Sequence, residues 1–148
     1  MPHIKDKSQK VKVSGKPQVT QVPKICFGFK YLTTNSKYNF DVFAKDKSKK
    51  CLAYEELIKK MQYLSQFNVA ESAMLGKKLG SESFPVNQFS KPIQEICKGV
   101  DIISGDSKLV VFQFCNHGYR LICKNDIMHA NLMHVIAFDF NFSAYDHG

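Results

Sequence analysis

The chain has 148 residues, 44 % of them hydrophobic, with 12 phenylalanines, six tyrosines and no tryptophan. This length and apolar content predict one domain with an ordinary hydrophobic core. No apolar run approaches the roughly 18 residues of a membrane span, and the charged N-terminus lacks the apolar stretch of a secretion signal. We therefore expect a soluble cytoplasmic protein that has no membrane partner.

The net charge of +8 is distributed unevenly along the chain. Residues 1–24 hold six lysines and one aspartate, so this segment carries +5 and leaves +3 for the rest. Because the segment also lacks hydrophobic periodicity, we predict a disordered basic arm at 1–24 and a single α+β domain at 25–148. Such an arm can contact nucleic acid phosphates, here through Lys10, Lys12 and Lys16, or it can serve solubility alone.

The cysteines are odd in number, and no two of them form a C-x-x-C pair: Cys26, Cys51, Cys97, Cys115 and Cys123. Because each cysteine lies beside apolar residues, we expect free thiols that pack as small hydrophobes in a reducing compartment. The pattern argues against a disulfide scaffold.

Alternating apolar residues predict two strands near the N-terminus, at 25–32 and 37–44, joined by a turn at 33–36. The second strand would place Tyr38 and Phe40 on the same face. Together these segments predict an N-terminal β-hairpin.

A charged loop at 45–50 precedes a predicted pair of helices. The first helix is amphipathic, and its apolar stripe has helical spacing: Tyr54, Leu57, Ile58, Met61 and Leu64. Asn68 and Glu71 have the spacing of a capping box, which predicts a second helix that begins near Val69 and ends at Gly80.

Two segments lie between the helix pair and the final strands. Residues 81–92 are rich in turn-forming residues and predict a loop, and a short helix is expected at 92–98. The nearly continuous apolar run at 108–115 then predicts a strand in the interior of a sheet.

The last third of the chain predicts an antiparallel meander. Residues 116–118 have the composition of a hairpin loop, with Gly118 at a positive φ. A return strand at 119–124 and a long last strand at 132–142 follow. The predicted fold class is α+β, with an N-terminal β-hairpin, a helix pair, a C-terminal antiparallel meander, and the helices on one face of the sheet.

Several kinds of site are not indicated by any motif. The closest groups of metal-ligating residues are Cys115 with His117 and His129 with His134, and neither has the spacing of a zinc site. The chain has no phosphate-binding glycine loop and no G-x-S-x-G elbow. We therefore predict no metal and no cofactor, and we interpret Cys115 as a packed thiol.

The candidate site lies in the last third of the chain. Arg120 is the only arginine, and Lys124 lies on the same face of its strand because their separation is even. If the terminal segment folds back beside Arg120, then Tyr145 and His147 approach it, and His117 lies at the hairpin tip. These groups can bind a phosphodiester, with Lys124 and His117 as contacts, while Arg120, Tyr145 and His147 act in catalysis.

A purely structural interpretation of the same residues stands beside this hypothesis. Arg120 can pair with Asp139 across neighbouring strands, which contributes at most about 1 kcal/mol. Tyr145 can be an ordinary half-buried aromatic residue, and His147 can be solvated at the chain end.

The order of elements resembles that of the RelE/HigB-like toxins, together with Arg120 in Tyr119-Arg120-Leu121 and the terminal Tyr145 and His147. Many members of that family cut messenger RNA on the ribosome with basic residues and a C-terminal Tyr or His. The resemblance implies an endoribonuclease whose partner is RNA or the ribosome. The toxins are usually shorter, carry several arginines and begin with one strand, so the chain departs from the family pattern at these points.

A second resemblance is to a group of small bacterial proteins of unsettled activity. They share an F-x-F-K-Y-L start, here at 27–32, an H-G pair, here His117-Gly118, and a last strand that carries Asp and ends in Tyr, here from Asp139 to Tyr145. This resemblance implies a shared fold and leaves the function open.

The first functional hypothesis is a protein that binds nucleic acid or a ribonucleoprotein and is a RelE-like endoribonuclease. The alternative is a non-catalytic protein-interaction module of a phage or mobile element, with a protein partner. Self-association through the edge of the first hairpin is a third hypothesis, and the sequence leaves the oligomeric state open.

Overall fold

The computed structural model describes residues 21–116 and 118–145, and these residues form an α+β fold around a five-stranded mixed sheet. The strands are β1 (Cys26–Gly28), β2 (Ser81–Pro85), β3 (Lys108–Phe114), β4 (Tyr119–Asn125) and β5 (Leu132–Asp139). The helices are α1 (Lys47–Leu64), α2 (Val69–Met74), α3 (Gly76–Leu79) and α4 (Lys91–Lys98). The strand order is β1-β5-β4-β3-β2, and β1 pairs with β5 in parallel. The α+β class is confirmed.

The predicted C-terminal meander is confirmed, because β3, β4 and β5 are consecutive antiparallel neighbours. Strand β3 lies inside the sheet, as its apolar run predicts, and residues 109–112 are all buried. The prediction for the β3–β4 turn is wrong in one detail. Cys115 and Asn116 have the positive φ angles, 54° and 51°, rather than Gly118.

The predicted N-terminal hairpin is wrong. Residues 36–38 and 40–43 form two short 3-10 helices instead of a strand. The side chains of Asn35 and Asn39 accept hydrogen bonds from the backbone two residues later and cap these turns, which offers the backbone a local alternative to a strand. As a result Tyr38 and Phe40 pack into different core clusters instead of sharing one face.

Helix α1 begins seven residues before the predicted apolar stripe, at Lys47, because the Asp46 side chain accepts a hydrogen bond from the backbone of Lys49 and caps the helix. The predicted stripe is only partly buried. Leu57 and Leu64 lie in the core, while Ile58 is 59 % exposed.

The Asn68–Glu71 capping box is confirmed, with both reciprocal hydrogen bonds present at the start of α2. The helical segment ends at Gly80, as predicted, although Gly76 at φ 80° divides it into two short helices. Gly80 is required by close packing, because a Cβ there would overlap the carbonyl oxygen of Ser72.

The predicted loop at 81–92 is wrong over its first half. Residues 81–85 form β2, an edge strand that is antiparallel to β3. Three of its first four residues are polar, as is typical of an edge strand, so the apolar pattern is weak. The predicted short helix follows as α4, with Pro92 in its first turn.

The helices cover both faces of the sheet, so the prediction of one covered face is wrong. Helix α1 packs on the cluster that contains Phe112, Leu121 and Phe138. Helix α4 packs on the opposite cluster, which contains Val111 and Ile122. Successive residues of β3 and β4 are apolar, and since their side chains alternate between faces, both faces need a cover.

Two further predictions concern the whole chain. The five cysteines are all free thiols, as expected. Among the helices at 21–116 and 118–145, none is long and apolar enough to cross a membrane.

Candidate functional site

A row of three buried polar side chains crosses the sheet beside the β3–β4 turn. Arg120 on β4 is paired in register with Gln113 on β3 and with Asp139 on β5. The side chains of this row point to the face that α4 covers, because Ile122, two residues from Arg120, packs in that cluster. These three residues are polar, whereas the rest of this sheet face is largely apolar.

The segment after β5 folds back over this row. The Asp139 carboxylate accepts three backbone hydrogen bonds, from Asn141 (3.2 Å), Ser143 (3.1 Å) and Ala144 (3.0 Å). The backbone of Ser90 donates to the carbonyl of Ala144 at 2.6 Å. The carboxylate thereby fixes residues 140–144 in a tight turn against the start of α4.

The fold-back brings Tyr145 to Arg120, as the sequence predicts. Nε of Arg120 donates a hydrogen bond to the Tyr145 hydroxyl at 2.9 Å. The guanidinium carbon lies 3.7 Å from the centroid of the Phe142 ring and 5.4 Å from that of Tyr145. Arg120 is only 4 % exposed, so a buried planar cation lies against the Phe142 ring and donates at Nε to the Tyr145 hydroxyl.

One nitrogen of this guanidinium has no partner. Nη1 of Arg120 is buried and makes no hydrogen bond. The described residues contain no ion pair between Arg120 and Asp139, whose oxygens accept the backbone amides of the 140–144 turn instead. The simple cross-strand salt bridge is therefore absent in this part of the chain, and a buried donor is left unsatisfied, which is unfavourable.

The environment of Tyr145 raises the pKa of its hydroxyl. Burial raises the pKa of its hydroxyl, and Glu82 and Asp139 raise it further, whereas Arg120 acts in the opposite direction. The phenol therefore keeps its proton near neutral pH, while its oxygen accepts from Arg120. Its ring is held at centroid distances of 5.0 Å from Phe84 and 5.5 Å from Phe89.

A group of lysines lies at the same end of the sheet, on the other face. We name Lys45, Lys47, Lys49 and Lys50 the lysine segment; the first three are exposed and Lys50 is partly so. The preceding Phe43 lies 6.0 Å from Tyr119 and 4.7 Å from Phe140, measured between ring centroids. These contacts place the lysine segment beside the β3–β4 turn, next to the strand residue that precedes Arg120.

The sequence analysis missed the lysine segment as a part of the site, although the run KDKSKK is visible. A charge run in a loop has no predictable location until the tertiary contacts of its neighbours are known. Phe142 was also missed, because nothing in an N-F-S context indicates that its ring stacks on an arginine 22 residues earlier.

Lys124 does not join the Arg120 site. It lies on the same side of β4, as predicted, but four residues along a strand separate the two by about 13 Å. Its Nζ donates to the carbonyl of Asn125 at 3.1 Å. Its predicted contact with nucleic acid therefore belongs to a different part of the surface.

Some predicted site residues lie outside the described residues: Lys10, Lys12, Lys16, His117 and His147. The predicted disorder of the arm lies outside them as well, apart from residues 21–24. For these residues the sequence hypotheses stand as predictions.

A second polar pair, a buried histidine and a partly exposed aspartate, lies at the other end of β5. Nε2 of His134 is 2.8 Å from Oδ1 of Asp126, and this hydrogen bond lowers the pKa of the aspartate. The backbone amide of His129, which lies in the loop before β5, also donates to Asp126. The described residues contain no group of side chains that could hold a metal ion.

The expectation that every cysteine packs as a small hydrophobe holds for Cys97 and Cys123, which are buried, and in part for Cys115, which is half-buried. It is wrong for Cys26 and Cys51, which are exposed. Burial, together with the charge of Glu56, raises the pKa of Cys115. Burial raises the pKa of Cys97 to about 11. Thiols that keep their protons near neutral pH are poor nucleophiles, so cysteine catalysis has no support at these two positions.

Comparisons with protein-family models, with curated proteins and with solved structures found no match to this chain.

Proposed function

We propose that the chain binds nucleic acid at the end of the sheet, where Arg120 contacts a phosphate. The observation that carries this proposal is the buried guanidinium whose Nη1 has no hydrogen-bond partner. Phosphate oxygens are the acceptors that arginine binds best, because they are charged and match the spacing of its donors. A bound phosphate would satisfy the orphaned donor.

The charge of the surrounding surface supports a polyanionic partner. The lysine segment adds four positive charges at the same end of the sheet, with Asp46 as the one acid among them. Lysines at the first turn of α1 are unfavourable with the helix dipole, so they do not stabilise the helix itself. The lysine-rich arm adds further positive charge to the chain.

RNA cleavage is the finer form of this proposal. A phosphate held by Arg120 would lie beside the protonated hydroxyl of Tyr145. In cleavage the 2′-hydroxyl of the RNA attacks the phosphorus and gives its proton to the predicted base His147, while Tyr145 donates its proton to the leaving 5′-oxygen. The predicted role of His147 belongs to this form as well. The hypothesis of a RelE-like endoribonuclease is therefore tested by whether bound RNA is cut.

The first test measures binding of a fluorescent single-stranded RNA by anisotropy across a salt series. We expect Arg120→Lys to weaken binding about tenfold at fixed salt. Replacing the lysine segment with glutamines should lower the salt slope by roughly 0.7 for each lysine that contacts a phosphate. The matched control replaces four exposed lysines elsewhere on the described surface with glutamines: Lys30, Lys59, Lys98 and Lys108.

Equal binding by Arg120→Lys and the intact chain would contradict the proposed site. Electrophoresis of the same RNA after incubation tests cleavage separately. If the RNA binds and remains intact, the protein binds this RNA but has no nuclease activity on it.

A second candidate function is docking of a protein partner through the outer face of α1. Leu52 is 46 % exposed, Tyr54 47 % and Ile58 59 %, so this helix presents apolar side chains on its outer side. Tyr54 and Ile58 lie one turn apart on the same side of the helix, and neighbouring exposed apolar groups favour a protein contact. This candidate does not require the Arg120 site.

A further inference from the structure

We infer that the Arg120 site takes the terminal phosphate of a single-stranded nucleic acid rather than a phosphate within a strand. This inference rests on the binding form of the proposed function and names the ligand class for the same site. It excludes the endonuclease form, which needs an internal phosphodiester at Arg120. Three features of the site support it: the burial of the guanidinium, the aromatic residues that contact it, and the charge of the phosphate that it can bind.

The depth of the site restricts the shape of the ligand. Nη1 has almost no contact with solvent, and only 4 % of the surface of Arg120 is exposed. An internal phosphodiester has a nucleotide on both sides, so both would have to enter beside Phe142 and Tyr145. A terminal phosphate is attached on one side only and can reach into such a narrow place.

The rings also exclude a duplex. Phe142 lies against one face of the guanidinium, and the hydroxyl of Tyr145 occupies Nε. A double helix presents its phosphates on a wide, stiff surface and cannot push one of them between these side chains. A single strand can, because its backbone bends and its bases are available for stacking on aromatic residues.

The charge of the site favours a phosphate monoester. The buried Asp139 carboxylate is already bound by three backbone amides, so Arg120 keeps its capacity for another anion. A terminal phosphate carries a charge of about −1.5 to −2 near neutral pH, whereas an internal one carries about −1. In a poorly solvated site the larger charge interacts more strongly with the guanidinium.

Phe142 is the side chain that must shift to admit the phosphate. Its φ is 55°, a left-handed conformation that non-glycine residues rarely adopt. The hydrogen bonds from Asn141 and Ser143 to Asp139 hold this conformation on both sides. Its ring is 44 % exposed, lies outside the two core clusters and covers the guanidinium, so a phosphate that reaches Arg120 would displace this ring.

The experiment changes the ligand and leaves the protein intact. One short RNA sequence is prepared with a 5′-phosphate, with a 3′-phosphate and with hydroxyls at both ends. Binding is followed by the signal of Arg120 Nε–H in protein labelled with ¹⁵N-arginine, which is unambiguous because the chain has one arginine. We expect this signal to shift with one of the phosphorylated RNAs, with affinity about tenfold above that of the hydroxyl-ended RNA.

Other ligands and one variant complete the test. A blunt duplex with the same terminal phosphate should bind at least tenfold more weakly. Arg120→Lys should abolish the preference for the terminal phosphate, and circular dichroism of this variant checks that it is folded. Lys108→Gln should retain the preference, because Lys108 is exposed at the start of β3, at the end of the strand away from the β3–β4 turn.

Each contrary result has a separate meaning. If all three RNAs bind equally and binding still requires Arg120, the terminal-phosphate inference is wrong and the proposed function stands. If no RNA shifts the arginine signal, both are wrong. If a phosphoserine peptide binds as tightly as the phosphorylated RNA, the site recognises phosphate without selecting nucleic acid, which also overturns the inference.

Discussion

Arg120 illustrates how one buried residue can combine structural and binding roles. Its planar guanidinium stacks on Phe142, donates from Nε to Tyr145 and leaves Nη1 without a partner. A lysine at this position could not reproduce the stack or the directed donor. At the scale of single residues, the sequence analysis identified Arg120 and Tyr145 as neighbours because antiparallel strands return the chain to its start. It could not predict how Asp139 would use its oxygens.

A pH dependence belongs to the pair of Asp126 and His134. The hydrogen bond from His134 lowers the pKa of Asp126 in the folded state. The resulting stability is present above the pKa of the unfolded aspartate, about 3.9, and is lost as pH falls through the folded value. We expect Asp126→Asn to lower stability at neutral pH, and the difference from the intact chain to shrink below about pH 4.

Urea denaturation of the two proteins across this pH range measures the effect. Asp106→Asn serves as the control, because Asp106 is an exposed turn residue. A difference between Asp126→Asn and the intact chain that stays constant down to pH values below about 3 would contradict the assignment.

At the scale of elements, local capping and edge position explain most differences between prediction and structure. Two asparagines close 3-10 turns where alternation alone predicts a strand, so the predicted hairpin does not form. Strand β2 is an edge strand with polar residues and a proline at its end, and its pattern resembles a loop. By contrast, the capping box of α2 is a local signal, and it was predicted correctly.

Gly80 gives a prediction at this scale. A Cβ at Gly80 would overlap the backbone of Ser72, so Gly80→Ala must displace α2 from the start of β2. We expect the free energy of unfolding to fall by about 2–3 kcal/mol, as for overpacking of a tight site. Chemical denaturation measures this loss.

Gly105→Ala is the matched control, because nothing lies within 4 Å of a Cβ at that position. Its stability should stay within about 0.5 kcal/mol of that of the intact chain. Equal stability of the two variants would show that the contact between Gly80 and Ser72 is not tight in solution.

At the scale of the whole molecule, two surfaces with different chemistry adjoin at the first turn of α1, which carries three residues of the lysine segment. One is the end of the sheet, where the lysine segment and the Arg120 site lie on opposite faces of the β3–β4 turn. The other is the outer face of α1, where Leu52 and Ile58 are exposed. The two candidate functions therefore make different demands on the same chain.

A paired experiment separates these functions. Affinity capture from a lysate is compared for the intact chain, Arg120→Lys and Ile58→Lys. If the chain docks a protein through α1, the captured protein should be retained by Arg120→Lys and lost with Ile58→Lys, because a lysine cannot be buried there without cost. If Ile58→Lys also loses RNA binding, then both surfaces take part in the same function.

The sequence by itself determined the α+β class, the meander, the capping box of α2, the short helix α4 and the approach of Tyr145 to Arg120. These features depend on periodicity, on local side-chain caps and on the return of antiparallel strands, which are properties of neighbouring residues. Only the tertiary structure decided that helices cover both faces, that β1 joins β5 in parallel and that Phe142 covers Arg120. Those features depend on contacts between residues far apart in the chain, and no local pattern encodes which distant side chain will fill a given place.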